Sequence, residues 1–318
     1  LDAETLTVES VVYEISEAGL GDMDYRDLVY VDGTNKLVAV AQRPTSRWAR
    51  MIVINDVLTS SSVVIADELG LSDGGGVFVR AVTSDDQGNA YMVGESGGDP
   101  DAGFGSNDGY IVKLNTSDNS YTVKTYSDYN DLFNINFNNG WLYVLGKVSG
   151  SNDRVRVSRI DTTLPNSFNS FFEIVDPNYS TMGTDTDTNK YKFSLSADAL
   201  DNIFVTGYMT NGTTDFYEEG STSSDDIFKT VANSSESRFV AKLDFNFDYQ
   251  WVKTPIQSNI PSLGARSTIS WDALNSRLWW SGGYSGNVGL SMQEGSDSST
   301  KITLPQEANS QGFVAVFE

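Results

Sequence analysis

One local pattern returns five times along the chain, and each return is a strand, a tight polar turn and a second strand. The clearest copies are Ser84-Asp-Asp-Gln-Gly-Asn-Ala-Tyr-Met-Val-Gly94, Ser196-Ala-Asp-Ala-Leu-Asp-Asn-Ile-Phe-Val-Thr-Gly207 and Ser270-Trp-Asp-Ala-Leu-Asn-Ser-Arg-Leu-Trp-Trp-Ser-Gly282. Looser copies run from Asn136 to Gly146 and from Val31 to Ala41. Short apolar runs on either side of Asp, Asn and Gly spell a β-hairpin. Every second strand ends on a small residue: Ala41, Gly94, Gly146, Gly207 or Gly282. A missing side chain at a fixed place in a strand lets a neighbouring sheet or backbone come close.

A third strand follows in each copy: Met51–Ile54, Tyr110–Leu114, Val155–Ile160, Phe239–Leu243 and Phe313–Phe317. A more polar fourth comes next, as in Tyr121–Tyr126 and Tyr249–Lys253. Four antiparallel strands repeated in one order make the blades of a propeller, whereas a β-sandwich supplies short strands without the fixed order. The expected fold is therefore all-β, a five-bladed β-propeller of four-stranded antiparallel blades in a single domain, 1–318. The blades are expected at about 25–70, 77–127, 130–176, 190–255 and 265–318. The last copy ends at Phe317 without a fourth strand, while the chain opens with an unaccompanied strand over 4–15. That strand is expected to complete the last blade and close the ring, leaving no unpaired edge there.

Composition narrows the chemistry. With no Cys and no His, disulfides, thiol catalysis, histidine-held metals and Ser/His/Asp triads are excluded. The 43 acidic against 21 basic residues give a net charge of −22, which repels phosphate backbones and anionic membrane surfaces. No nucleic-acid partner is expected. Without a run of 18 apolar residues, no membrane insertion is expected either. The chain starts at Leu1, so export is not readable from its beginning.

Two copies carry a further resemblance. Asp86-Gln-Gly-Asn-Ala-Tyr-Met-Val-Gly94 with Asp108-Gly-Tyr-Ile-Val-Lys-Leu114 is one; Asn202-Ile-Phe-Val-Thr-Gly207 with Arg238-Phe-Val-Ala-Lys-Leu-Asp244 and Trp251 is the other. They resemble the SBBP-type β-propeller repeat, and the remaining three copies are drifted forms of it. The resemblance implies a propeller and the company of secreted and surface bacterial proteins and marine phage structural proteins. It implies no single activity, because propellers host many.

In this blade order the segments between second and third strands share a face with the entries to the first strands. The long ones, 95–109, 208–237 and 283–312, mark that face as the expected binding face. Aligning first strands by their hairpins makes Asp27, Arg80, Leu132, Lys192 and Arg266 equivalent, near the mouth of the axis. Arg80, Lys192 and Arg266 would then form a cationic ring, with Arg47 and Trp48 beside it, suited to a carboxylated or sulfated glycan. The competing reading is that these cations pair with neighbouring carboxylates. Asp185, Asp187 and Asn189 alternate as Ca2+ ligands do, but no Gly follows and no bidentate Glu closes the loop; solvated turns explain them better. No other cofactor is expected.

For a glycoside hydrolase the mouth offers only Asp27, with Asp131 a position away, where an acid and a base at a set separation are needed. The expected function is a non-enzymatic surface or virion module, structural or adhesive. It would bind a protein partner in a larger assembly, or a surface glycan, through the loop face. Its expected place is extracellular, on a cell surface or in a virion. The alternatives are a carbohydrate-active enzyme of the five-bladed glycoside-hydrolase kind, or a lectin, for which the unequal loops are unfavourable.

Overall fold

The computed structural model describes residues 24–42, 49–55, 62–65, 77–97, 106–150, 154–168, 170–176, 193–209, 212–221, 223–233, 237–254, 267–284, 289–291, 301–303 and 311–317. The chain is all-β, a five-bladed β-propeller arrangement of small antiparallel sheets. The first blade runs in order through β1 (Asp24–Val31), β2 (Lys36–Gln42), β3 (Ala49–Asn55) and β4 (Ser62–Ile65). The second runs through β5 (Val77–Ser84), β6 (Asn89–Gly97), β7 (Ser106–Asn115) and β8 (Tyr121–Tyr126). The third holds β9 (Tyr129–Asn138), β10 (Trp141–Val148), β11 (Arg154–Asp161) and β12 (Ser170–Val175).

Beyond these lie β13 (Ser194–Ala197), β14 (Ile203–Met209), β15 (Gly212–Tyr217), β16 (Ile227–Asn233), β17 (Ser237–Leu243) and β18 (Tyr249–Lys253). The fourth blade takes β13, β14, β17 and β18. The fifth takes β19 (Thr268–Asp272), β20 (Arg277–Tyr284) and β23 (Gln311–Phe317), with β21 (Gly289–Ser291) and β22 (Lys301–Thr303) as a separate pair. The strand expected over 4–15, and with it ring closure, lies outside the described residues.

The residues form two compact units, Leu1–Ser106 with Ile111–Val123 and Asn107–Tyr110 with Lys124–Glu318. Within each unit, a blade catches the first strand of the next by the same device. A first strand is an edge, so its outward N–H groups need partners. In the first unit Asp27 Oδ2 accepts from the Val82 amide at 3.0 Å, and Gln42 Oε1 from the Val79 amide at 3.3 Å. In the second, Ser196 Oγ accepts from the Trp271 amide at 3.0 Å and Ser194 Oγ from the Ile269 amide at 3.4 Å.

The second unit's main core joins Tyr143, Leu145, Val155, Val157 and Phe172 of the third blade to Phe193, Leu195, Val205, Phe239 and Ala241 of the fourth. A second cluster joins Phe204, Val240 and Trp251 to Ile269, Leu278, Trp280, Phe313 and Phe317. The small residues ending the second strands sit against these contacts. A Cβ on Gly207 would lie 2.5 Å from Phe193 Cε1 and 2.7 Å from Phe239 Cε1; on Gly146 it would strike the Asp131 carbonyl and Leu132.

The segment 208–237, read above as a long loop, is for the most part regular. It makes the hairpin β15–β16, and β15 leaves the fourth blade to pair with β12 of the third through Ile174↔Phe216 and Val175↔Asp215. Phe216 is fully buried, 5.3 Å from the Phe239 ring, and Thr214 Oγ1 donates to Asp176 Oδ2 at 2.8 Å. The third sheet thereby becomes six-stranded, in the order β16-β15-β12-β11-β10-β9. The insertion covers the outer edge of β12, which would otherwise be open to pairing with another chain.

Candidate functional site

The aspartates of the repeat are turn residues. Asp85 Oδ1 accepts from the amides of Gln87 and Asn89 at 2.9 and 2.8 Å; its Oδ2 accepts from Asn89 Nδ2 and the Tyr91 hydroxyl at 2.7 and 2.8 Å. Asp198 holds Leu200 and Asn202 in the same way, and Asp272 holds Leu274 and Asn275. A side chain that bonds its own backbone two and more residues on is what makes Asp a turn former. At Asp85 burial pushes the carboxyl pKa up, but the bonds from Asn89, Tyr91 and Gln87 outweigh it and leave the group below the usual range. The aromatic and the Lys of the repeat form another fixed pair: Lys113 Nζ lies 5.5 Å over the Tyr91 ring, and Lys242 Nζ 5.5 Å over Phe204.

Bulges decide where the first-strand cations point. In β1 the register steps from Tyr25↔Ala41 to Asp27↔Val40, and in β5 from Val79↔Gly94 to Ala81↔Val93. In β9 it steps from Leu132↔Gly146 to Asn134↔Leu145. The extra residues are Arg26, Arg80 and Phe133, so these are the equivalent positions, and the expected alignment of Asp27 and Leu132 with Arg80 is one residue off. A bulge inserts one residue and re-aims its side chain, which the apolar pattern alone does not reveal.

Arg80 has a side chain only 1% exposed, with NH2 3.2 Å from Glu95 Oε2 and the guanidinium 5.5 Å over the Phe78 ring. Arg26 pairs with Asp24 at 2.7 Å. Asp27 is engaged with the Val82 amide, Leu132 is fully buried, and Asp131 is buried too. Lys192, Arg266, Arg47 and Trp48 lie outside the described residues, as do Asp185, Asp187 and Asn189.

Two features were missed in the sequence. The first is a charge cluster on the third blade, where Glu173 is fully buried between two arginines. Arg154 NH1 meets its Oε2 at 2.6 Å, and Arg156 meets its Oε1 through Nε at 3.0 Å and NH2 at 2.7 Å. Arg156 also lies 4.0 Å over the Phe171 ring. The signal was the alternation Arg154-Val-Arg156 facing Glu173 across the ladder, and it needs the β11–β12 register to be seen.

The second is a cavity of about 540 Å³ on the first blade, lined by Tyr25, Arg26, Asp27, Leu28, Leu37, Ala39 and Ile54. Burial raises the pKa of the Tyr25 phenol. Four apolar side chains with an arginine, an aspartate and a phenol are the ingredients of a small-ligand pocket.

No protein-family profile and no curated protein matches the sequence. Among solved structures it is similar to a chain of a mitotic checkpoint complex, at 10% identity and a TM-score of 0.39, over 97% of this chain and 90% of that one. It is similar to the β-propeller domain of the Trilobed protease from Pyrococcus furiosus, at 9% identity and a TM-score of 0.39, over 86% and 83%. It is also similar to the polysaccharide lyase Uly1, at 10% and 0.33, over 89% and 69%. Likenesses of this size do not bear on function. What the sheets define is the class, a β-propeller.

Proposed function

We propose that this propeller is a non-enzymatic binding module, structural or adhesive, whose partner is another protein of a larger assembly outside the cytoplasm, on a cell surface or in a virion. The observation that carries the reading is the β15–β16 hairpin. The long insertion of the fourth blade is built into a surface that widens a neighbouring blade. The repeat's aspartates support the same reading, since Asp85, Asp198 and Asp272 are engaged in holding turns. The resemblance to the SBBP-type repeat, found in surface and particle proteins, agrees with it. A carboxylated or sulfated glycan is the second partner to try, and Arg154 and Arg156, which meet Glu173, are the arginines to test for it.

The test is to incubate the protein with neutral and acidic polysaccharides and to follow both retention and new sugar ends. Retention without cleavage, or neither, is expected. Sustained release of ends that disappears in an Asp27→Asn or Asp131→Asn variant would overturn the non-enzymatic reading.

A further inference from the structure

The hairpin that covers β12 creates a new edge, β16. We propose that this edge is a docking site for an extended, basic segment of a partner protein, which adds to the sheet as a further strand. The inference rests on reading the chain as a binding module, and it names the partner's chemistry. β16 stands last in the six-stranded order, and no described strand pairs with its outer side. It is seven residues long, Ile227-Phe-Lys-Thr-Val-Ala-Asn233, with no Pro and no Gly. Protein edges are ordinarily blunted by shortness, by Pro, by a bulge facing outward or by several charges. Here the register steps beside the hairpin turn, from Phe216↔Lys229 to Tyr217↔Ile227, so that Phe228 is the extra residue; from Lys229 to Asn233 the strand pairs evenly with β15, and Lys229 is its single charge.

The edge is also held ready. Phe228 is 48% exposed and lies tilted against Tyr249, with ring centroids 4.0 Å apart. Thr230 Oγ1 donates to Asp215 Oδ1 at 2.6 Å across the hairpin. The tip is tied down: the Gly220 amide donates to the Phe171 carbonyl at 2.9 Å, and Ser221 Oγ to Asp226 Oδ2 at 2.6 Å. A strand already fixed costs the incoming segment little ordering beyond its own.

Charge selects the occupant. Glu218, Glu219, Asp225 and Asp226 stand exposed at the tip, on a chain of net charge −22. A second copy of the chain would bring a net charge of −22 against the same net charge. A lysine- or arginine-bearing strand would instead gain backbone bonds along β16, apolar contact at Phe228 and attraction at the tip. This is β-augmentation guided by charge.

The experiment uses the full chain and two blocked peptides of about ten residues, one alternating lysine with valine and one alternating glutamate with valine. Hydrogen exchange is followed residue by residue. The lysine peptide should slow exchange of the amides at 227–233, and the effect should weaken as salt rises, because exposed charges are screened over about 8–10 Å. The glutamate peptide should do nothing. Thr230→Pro removes an N–H from an edge strand, where Pro is tolerated, and should cost at least tenfold in affinity. Glu218→Lys with Glu219→Lys keeps the backbone and should cost several-fold, so the test survives if the proline variant folds poorly. Equal binding of both peptides, binding without protection of 227–233, or no binding would overturn the proposal. So would protection of these amides that grows with protein concentration alone, which would make a second copy the occupant. A null result here with polysaccharides left uncleaved removes the edge site and leaves the binding-module reading standing.

Discussion

The fourth and fifth blades occupy the same place in the repeat and present it to different surroundings. In the fourth, Phe204 stands one strand from Lys242, lies 5.6 Å from the Trp271 ring at an interplanar angle of 7°, and is 4% exposed. In the fifth the corresponding residue is Trp279, paired across the ladder with Val316, and it is 40% exposed. Its neighbours on that face, Val314 and Val316, are 66% and 43% exposed. On the opposite face Trp280 is buried, donates from Nε1 to Ser267 Oγ at 3.0 Å, and packs edge-on to Phe313. A strand of this repeat is thus apolar on both faces, and the sheet lying against a face decides whether it is buried. Hydrophobic pattern marks the strand, and the neighbour supplies the energy.

The largest test of that comparison is at the small residue. Gly207→Val would drive a branched side chain into Phe193 and Phe239, a loss of about 3 kcal/mol or more in denaturant unfolding. At Gly282 the nearest atoms are those of the Phe313 ring, at 2.9 Å, against 2.5 Å at Gly207, and Gly282→Val should cost clearly less. Equal costs would mean that the two blades are not packed differently. Next comes the aromatic pair: Phe204→Ala should cost about 3–4 kcal/mol and Trp279→Ala less than about 1 kcal/mol. A reversal of that order would break the comparison.

The smallest effect is in the turns. Asp85 has a depressed carboxyl pKa in the folded chain. Its contribution is therefore complete above the unfolded value of about 3.9 and is lost as pH falls through the folded one. Asp85→Asn should flatten the acid side of the stability curve below about pH 4 and leave the neutral side nearly parallel. An unchanged acid limb would show that the turn bonds do not favour the charged form.

The hairpins were legible because each carries its own evidence, apolar alternation on either side of an Asp or Asn turn. The fourth strands Tyr121–Tyr126 and Tyr249–Lys253 are those observed as β8 and β18. Gly146 and Gly207 were legible as close-packed positions because nothing else explains a missing side chain at the same place in successive strands. The bulges at Arg26 and Arg80 were not, because one extra residue leaves the apolar pattern almost unaltered while turning the side chain. Nor was the β15–β16 hairpin. Gly212-Thr-Thr-Asp reads as polar loop, Tyr217 and Ile227 are separated by a long acidic turn, and the pairing to β12 spans 40 residues at Val175↔Asp215. Arg80 was legible as a first-strand cation, but Glu95 comes to it only through the β5–β6 register.

Trp279 and Trp280 give the most direct measurement, being adjacent residues on opposite faces of β20. The protein can be labelled with 5-fluorotryptophan, and the signals of the six tryptophans separated by fluorine NMR. Trp279→Phe and Trp280→Phe assign the two that matter. A soluble gadolinium chelate should then broaden the Trp279 signal strongly and leave that of Trp280 sharp. Equal shielding of both would contradict the account, because it would mean that the two faces of β20 are equally covered.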